Sequence, residues 1–327
     1  MAERLIGVDV GGTKVSVAVI DGGRLSEPTL RHTELSDADA LVEQLVDAIE
    51  AAGDADAVGV GIPSVIDWAT GTARSSVNIP LQGVALRGLL GDRLGVPVFV
   101  DNDATVAALA ESYDDDLQPI ASSLVMITVG TGVGGGIVIG GKIYRGSTGA
   151  APELGHIIVG ADLRDGAPPK PARFPDPHSL EYLAAGRALD RLGTERGIGD
   201  GHAVVDAAFA GDEAAVECLR IVGERLGVGI ANCILLFDPE LVVIGGGVSR
   251  AGELLLEPAR RAAARFVIPG VGTETRIELA RYGPTAGVRG AALLAKLELE
   301  IDRGAAAPVV PARVSATGSG NVAEQRA

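Results

Sequence analysis

Apolar and polar residues follow one another along this chain in two rhythms. Compact apolar runs, one closed by glycine and the other by proline, predict buried strands over 5–10 and 57–63. An alternating run predicts a strand over 14–20, entered through a Gly-Gly-Thr turn and left through Asp21-Gly22-Gly23. Leu41, Leu45, Val46 and Ile49 recur at the spacing that gathers side chains on one helical face, so 36–52 is expected as a helix capped by Ser36 or Asp37. Further helices are expected over 86–94 and 102–111, with a strand at 96–100 between them, and the acidic run 114–116 marks a domain boundary.

From residue 124 the pattern restarts. LVMITVGTGVGGGIVIGGKIY repeats the order of LIGVDVGGTKVSVAVIDGG: apolar strand, Gly/Thr turn, alternating strand, Gly-Gly turn. This echo predicts two domains built on one plan with a ligand between them. The proline-rich stretch 162–177 is expected as loop. Helices are expected at 179–193, 202–210, 212–236, 250–267 and 286–299, with strands at 241–247 and 276–282. From residue 303 the Ala/Pro/Gly/Ser composition predicts a flexible tail.

Composition narrows the partners. The 327 residues, 47% of them hydrophobic, suffice for two domains with full cores. Lys+Arg 28 against Asp+Glu 43 leaves a net charge of -15, which disfavours nucleic acid and anionic membranes, since both call for a basic surface. A nucleotide stays open, because backbone amides and Mg²⁺ hold it locally. Aromatics, at 3%, are too few for stacking platforms. Cys218 and Cys233 stand apart without a C-x-x-C spacing, so no disulfide framework is expected and a reducing cytoplasm fits. The opening residues lack a signal-peptide run, and no apolar stretch reaches the ~18 residues of a membrane span.

Five short patterns carry candidate chemistry. Asp9-Val10-Gly11-Gly12-Thr13-Lys14 is either an ordinary hairpin with a surface aspartate or a turn whose N–H groups face a phosphate, with Asp9 near Mg²⁺. It is not a Walker A loop, whose spacing differs. Gly130–Gly136 contains the letters of the dinucleotide fingerprint, but that fingerprint must open a helix, and strand sequence follows here. A second phosphate-facing hairpin or a bare glycine turn remains. Asn102-Asp103, directly after a strand, is either a simple helix cap or a cap followed by a carboxylate able to take a proton from an attacking hydroxyl. Glu153 and His156 stand three apart, and Gly245–Gly247 lies between strand and helix.

In this order and spacing the patterns resemble the ROK family (repressors, open reading frames, sugar kinases), and within it the glucokinase branch, over about 4–297. The matching segments are Asp9–Lys14, Asn78, Asn102-Asp103-Ala104, Gly130–Gly136, Glu153–His156, Leu180-Glu181 and Ile244–Gly247. The resemblance implies an α/β fold of the actin-like ATPase (ribonuclease H-like) type, with a cleft between two domains. It divides the chain into 1–115, joined by the helix at about 286–299, and 116–285, with a tail at 303–327. It implies a sugar kinase using ATP and Mg²⁺, often a homodimer. Asp103 would be the general base toward a hexose 6-hydroxyl. Asn78, Asn102, Glu153, His156 and Glu181 would bind the sugar. Asp9, Gly11, Gly12, Thr13, Lys14, Thr131, Gly132, Gly246 and Gly247 would bind ATP.

Two features depart from the family pattern. Many members carry three cysteines that join the histidine of E-x-G-H around a structural zinc; counted back from Glu181, they fall at about Ala172, Phe174 and Ser179, so no zinc is expected. Pro152 replaces the glycine usual before the glutamate, which puts glucose itself in question beside other hexoses, amino sugars and glucose-like cyclitols. Polyphosphate is a rival donor, since relatives that use it also lack those cysteines. The repressor branch carries a helix-turn-helix segment ahead of the first phosphate turn, and here that turn begins at Asp9.

Overall fold

The computed structural model describes residues 3–76 and 78–304. The first half opens with β1 (Leu5–Val10) and β2 (Lys14–Asp21), followed by β3 (Arg24–Leu25) and β4 (Thr29–His32). Helix α1 (Ala38–Ala51) follows, capped by Asp37, whose carboxylate accepts the Ala40 N–H at 2.8 Å. Then come β5 (Ala57–Ile62), the hairpin β6 (Ser64–Asp67) and β7 (Thr72–Ser76), α2 (Leu86–Leu94), β8 (Val98–Asn102) and α3 (Asp103–Glu111). The second half has β9 (Ser123–Val129), β10 (Val133–Ile139), β11 (Lys142–Ile143), α4 (Leu180–Ala184), α5 (Gly186–Glu195), α6 (Gly201–Phe209) and α7 (Glu213–Phe237). It closes with β12 (Leu241–Gly245), α8 (Glu253–Phe266), β13 (Arg276–Leu279) and α9 (Ala286–Asp302).

The two sheets repeat one pairing scheme. In the first, β1 pairs antiparallel with β2 and parallel with β5, which pairs parallel with β8. In the second, β9 pairs antiparallel with β10 and parallel with β12, which pairs parallel with β13. The sequence echo thus corresponds to a repeated hairpin plus two parallel strands. Alternating layers stack around three hydrophobic clusters: α1 and α2 outside the first sheet, α3 and α9 between the sheets, and α4 to α8 outside the second. Helix α9 presses closely on its neighbours. A methyl group added at Gly59 would lie 1.8 Å from the Ala291 carbonyl oxygen, and one at Gly290 would lie 1.7 Å from that of Val106. Only glycine permits this approach.

Several expected elements differ in extent. The helix expected over 179–193 is two helices, because Ala185 is extended (ψ 170°) and the Gly186 N–H turns to the Gly130 carbonyl at 2.7 Å. The helix expected from 250 starts at Glu253, after a 3₁₀ turn over Gly247–Ala251 and a Gly252 at φ 61°. The strand expected at 276–282 ends at Leu279, and the one expected at 96–100 spans Val98–Asn102. Residues 162–177 contain neither helix nor strand. Beyond Gly304 the expected tail lies outside the described residues. Among the described residues no helix is long and apolar enough to cross a membrane.

Candidate active site

Asp9, Asp103 and Gly246 lie at the carboxyl ends of the parallel strands β1, β8 and β12, where α/β sheets place ligands; Asn78, Glu153, His156 and Glu181 come from loops and helical turns. Asp9 sits one residue before the end of β1, in register with Gly61 of β5. Asp103 begins α3 directly after β8. A methyl group built on Gly61 would stand 3.6 Å from Asp103 Cα and 3.8 Å from Asp9 Oδ1, so the two acids flank that glycine. Burial, reinforced by repulsion from Asp103, pushes the Asp9 carboxyl up to about 7. Burial also raises the Asp103 carboxyl, opposed by N–H donors that include Ala104 at 2.8 Å.

Asn102 has two tasks. Its Oδ1 accepts the N–H groups of Ala104 (3.0 Å) and Thr105 (3.2 Å), which fixes the start of α3. Its Nδ2 donates to the Ser64 carbonyl at 3.4 Å, which ties α3 to the β6–β7 hairpin.

The first glycine turn joins β1 to β2. The Gly11 N–H donates to the Lys14 carbonyl at 2.8 Å, and Thr33 clamps the turn by donating its hydroxyl to the Gly11 carbonyl at 2.7 Å. Thr13 and Lys14 are exposed there, and Asn78 lies against Gly12. The second turn joins β9 to β10. The Gly130 N–H donates to the Gly132 carbonyl at 2.9 Å, and the Val133 N–H donates to Glu181 Oε2 at 2.8 Å. Glu181 therefore braces this turn, and a side chain at Gly132 would strike its carboxylate. Thr131 is exposed at the tip.

Two cavities border the second turn and the start of β10. The smaller, about 150 Å³, is lined by Asn102, Asp103, Gly134, Gly135, Ser64 and the segment Gly149–Glu153. The larger, about 480 Å³, is lined by Gly130, Thr131, Arg187, His202, Gly247 and Arg250 among others. Gly246 backs it at φ 85°, pressed on the Val129 backbone where no side chain would fit. Pro152 forms part of the smaller cavity's wall. Glu153 lines that cavity too, with His156 Nε2 4.0 Å from its carboxylate; His156 itself faces the ring of Phe174 edge-on at 5.7 Å. Glu181 borders a third cavity, of about 280 Å³, with Thr131 and Arg187.

Sequence reasoning missed Ser64, Val65, Arg187, His202 and Arg250. Ser64 and Val65 come one residue after the parallel strand β5, and that position was the available signal. Arg187, His202 and Arg250 come from three separate helical segments and share no local pattern.

For magnesium, the donor set is suitable. The Asp9 carboxylate is largely buried and accepts no hydrogen bond among the described residues, and oxygen is the ligand this cation prefers. For zinc it is not. Phe174 occupies one cysteine position against His156, and Ser179 occupies another, buried, with its hydroxyl donating to the Asp176 carbonyl at 2.7 Å. Among the described residues no three His, Cys, Asp or Glu side chains converge on a metal position.

Residues 5–298 match the ROK family. The chain belongs to that family. This ROK protein is 33% identical to a glucokinase of Halalkalibacterium halodurans over 317 residues, covering 89% of this chain and 94% of that one. It is 34% identical to an N-acetyl-D-glucosamine kinase of Escherichia coli over 305 residues, 88% and 98% of the two chains. The solved structure of a ROK family glucokinase from Streptomyces griseus, in complex with glucose and AMPPNP, shares its fold with a TM-score of 0.70 at 33% identity. That match covers 90% of this chain and 99% of the other. The expected actin-like α/β architecture is therefore the observed one.

Proposed function

We propose that this ROK protein is an ATP-dependent hexose kinase that phosphorylates the 6-hydroxyl of glucose. One observation carries the proposal: the Gly130–Gly136 turn borders both cavities, with the Asp103 carboxylate in the smaller and the turn's tip in the larger. A hexose in the smaller cavity would offer its hydroxyl to Asp103, and a nucleotide in the larger would bring its phosphates past Thr131 and Gly132. The raised basicity of Asp103 suits a group that takes the hydroxyl proton as the oxygen attacks the γ-phosphorus.

The remaining roles follow the same assignment. Asn78, Asn102, Glu153, His156 and Glu181 are assigned to the sugar; of these, Asn102 and Glu153 line the smaller cavity, while Glu181 borders the third cavity and Asn78 lies against Gly12. Gly11, Gly12, Thr13, Lys14, Thr131, Gly132, Gly246 and Gly247 hold ATP. Asp9 holds Mg²⁺, which when bound neutralises phosphate charge. Lobes 1–115 with 286–299 and 116–285 close on the substrates and exclude water. The enzyme works in the cytoplasm as a homodimer.

An amino-sugar kinase is the second reading, favoured by the similarity to N-acetyl-D-glucosamine kinase and by Pro152 in the cavity wall. ADP release measured over glucose, mannose, N-acetylglucosamine and inositols, with ATP and polyphosphate in parallel, separates these. Asp103→Asn is expected to keep sugar affinity within a few-fold while kcat falls by at least ~10²-fold. Near-normal turnover in that variant refutes the base assignment.

A further inference from the structure

Arg145 stands outside every motif noted so far, yet it joins three elements. It follows β11 and opens the segment whose residues Gly149–Glu153 wall the smaller cavity. Its carbonyl accepts the Ala151 N–H at 3.2 Å, so the segment folds back on it. Its Nε donates to Asp101 Oδ2 at 2.6 Å, and its Nη2 donates to Glu298 Oε1 of α9 at 2.6 Å.

Asp101 lies on β8, is only 4% exposed, and is two residues from Asp103. Its second oxygen, Oδ1, accepts the Asn102 N–H at 2.8 Å. Asn102 in turn caps the helix that Asp103 begins. The guanidinium is thus three links from the carboxylate that meets the acceptor hydroxyl, and it holds the pocket segment at the same time.

We infer that Arg145 is a positioning residue for phosphoryl transfer: it fastens the sugar-pocket segment of the second half to the strand that presents Asp103. The inference rests on Asp103 being the base. Elsewhere the same segment meets the first half through Gly149, packed against the Ile66 carbonyl, and through the Thr148 carbonyl, which accepts from Arg74 at 3.3 Å; Arg145 makes its link to β8. A cavity of about 110 Å³ lies beside the ion pair, lined by Ile143, Arg145, Leu294, Leu297 and Glu298 among others. Without Arg145, Asp101 would be a buried carboxylate beside Glu298 with no cation, an arrangement that forces the strand end to rearrange.

The test is steady-state kinetics on the full chain with glucose and ATP, with thermal melting to confirm folding. In Arg145→Met, kcat is expected to fall by ~10- to 10²-fold, the cost of displacing a reacting group by about 1 Å. The glucose KM should rise several-fold while the ATP KM stays within about two-fold. Arg145→Lys should recover part of the rate. The double variant Arg145→Met/Asp101→Asn should recover melting temperature, by removing the stranded charge, but not kcat.

A folded Arg145→Met enzyme with kcat within about two-fold of wild type overturns the inference, even if it melts earlier. So does an equal rise in both KM values at unchanged kcat. If Arg145→Met does not fold, the double variant is judged by the same criteria. Failure of the base assignment looks different: Asp103→Asn then turns over normally while the effect of Arg145→Met on kcat persists.

Discussion

Replacing Asp9 by asparagine should stabilise the metal-free protein while abolishing its activity. The Asp9 carboxyl is raised from an ordinary 3.8 to about 7, burial being the larger cause and the charge of Asp103 the smaller. Such a group binds its proton more tightly in the folded than in the unfolded chain. Its contribution to stability is therefore complete below pH 3.8 and is lost as pH climbs to about 7. A shift of this size corresponds to about 4 kcal/mol of lost stability by pH 8. Asparagine has the shape of the protonated acid and no charge to ionise. Asp9→Asn should thus match wild type near pH 4 and melt ~5–10 °C higher at pH 8 without divalent ions. Adding Mg²⁺ with a non-hydrolysable nucleotide should stabilise wild type more than the variant, narrowing or reversing that gap. The assay is differential scanning fluorimetry from pH 4 to 8. A variant less stable than wild type at pH 8, or a difference that does not grow with pH, refutes the reasoning.

Three further outcomes are expected. Ser179→Ala should cost about 1–2 kcal/mol in denaturant titrations, because the buried hydroxyl donates to Asp176 and also accepts the Tyr182 N–H that caps α4. Cys233 and Cys218 should resist iodoacetamide until the protein is unfolded, since both are buried and burial pushes the Cys233 thiol up to about 12 and the Cys218 thiol upward as well. Elemental analysis should find no stoichiometric zinc, and a zinc chelator should leave Mg²⁺-supported turnover unchanged; one zinc per chain would contradict the side chains around His156.

The strands and glycine turns were legible because their signals are local. Alternation identified β2, and a compact apolar run identified β5. The repeated Gly/Thr turns pointed to the repeated pairing scheme of the two sheets. The hairpin β6–β7 and the strand β4 were not foreseen. Arg74, Ser75 and Ser76 are polar, all four residues of β4 are exposed, and such edge strands carry no apolar rhythm. The break at Ala185 was equally invisible, because its cause is a hydrogen bond to Gly130, far away in sequence. Asp9, Asp103 and both turns stood out as candidates from local pattern and strand position, and their proposed roles came from the resemblance to the ROK family. Arg187, His202 and Arg250 reach their cavity only through the packing of α5, α6 and the 3₁₀ turn after β12, which no short window contains.

The wedging of α9 between the first sheet and α3 has a consequence for biosynthesis. Segments made early, β1 and β5, offer glycines whose bare backbone is shaped for a helix made much later. Until residues 286–302 leave the ribosome, the face of the sheet on which α9 packs lacks that helix and must be shielded or remain fluid. A nascent chain halted before residue 286 should therefore stay protease-sensitive in its N-terminal third, however long it waits.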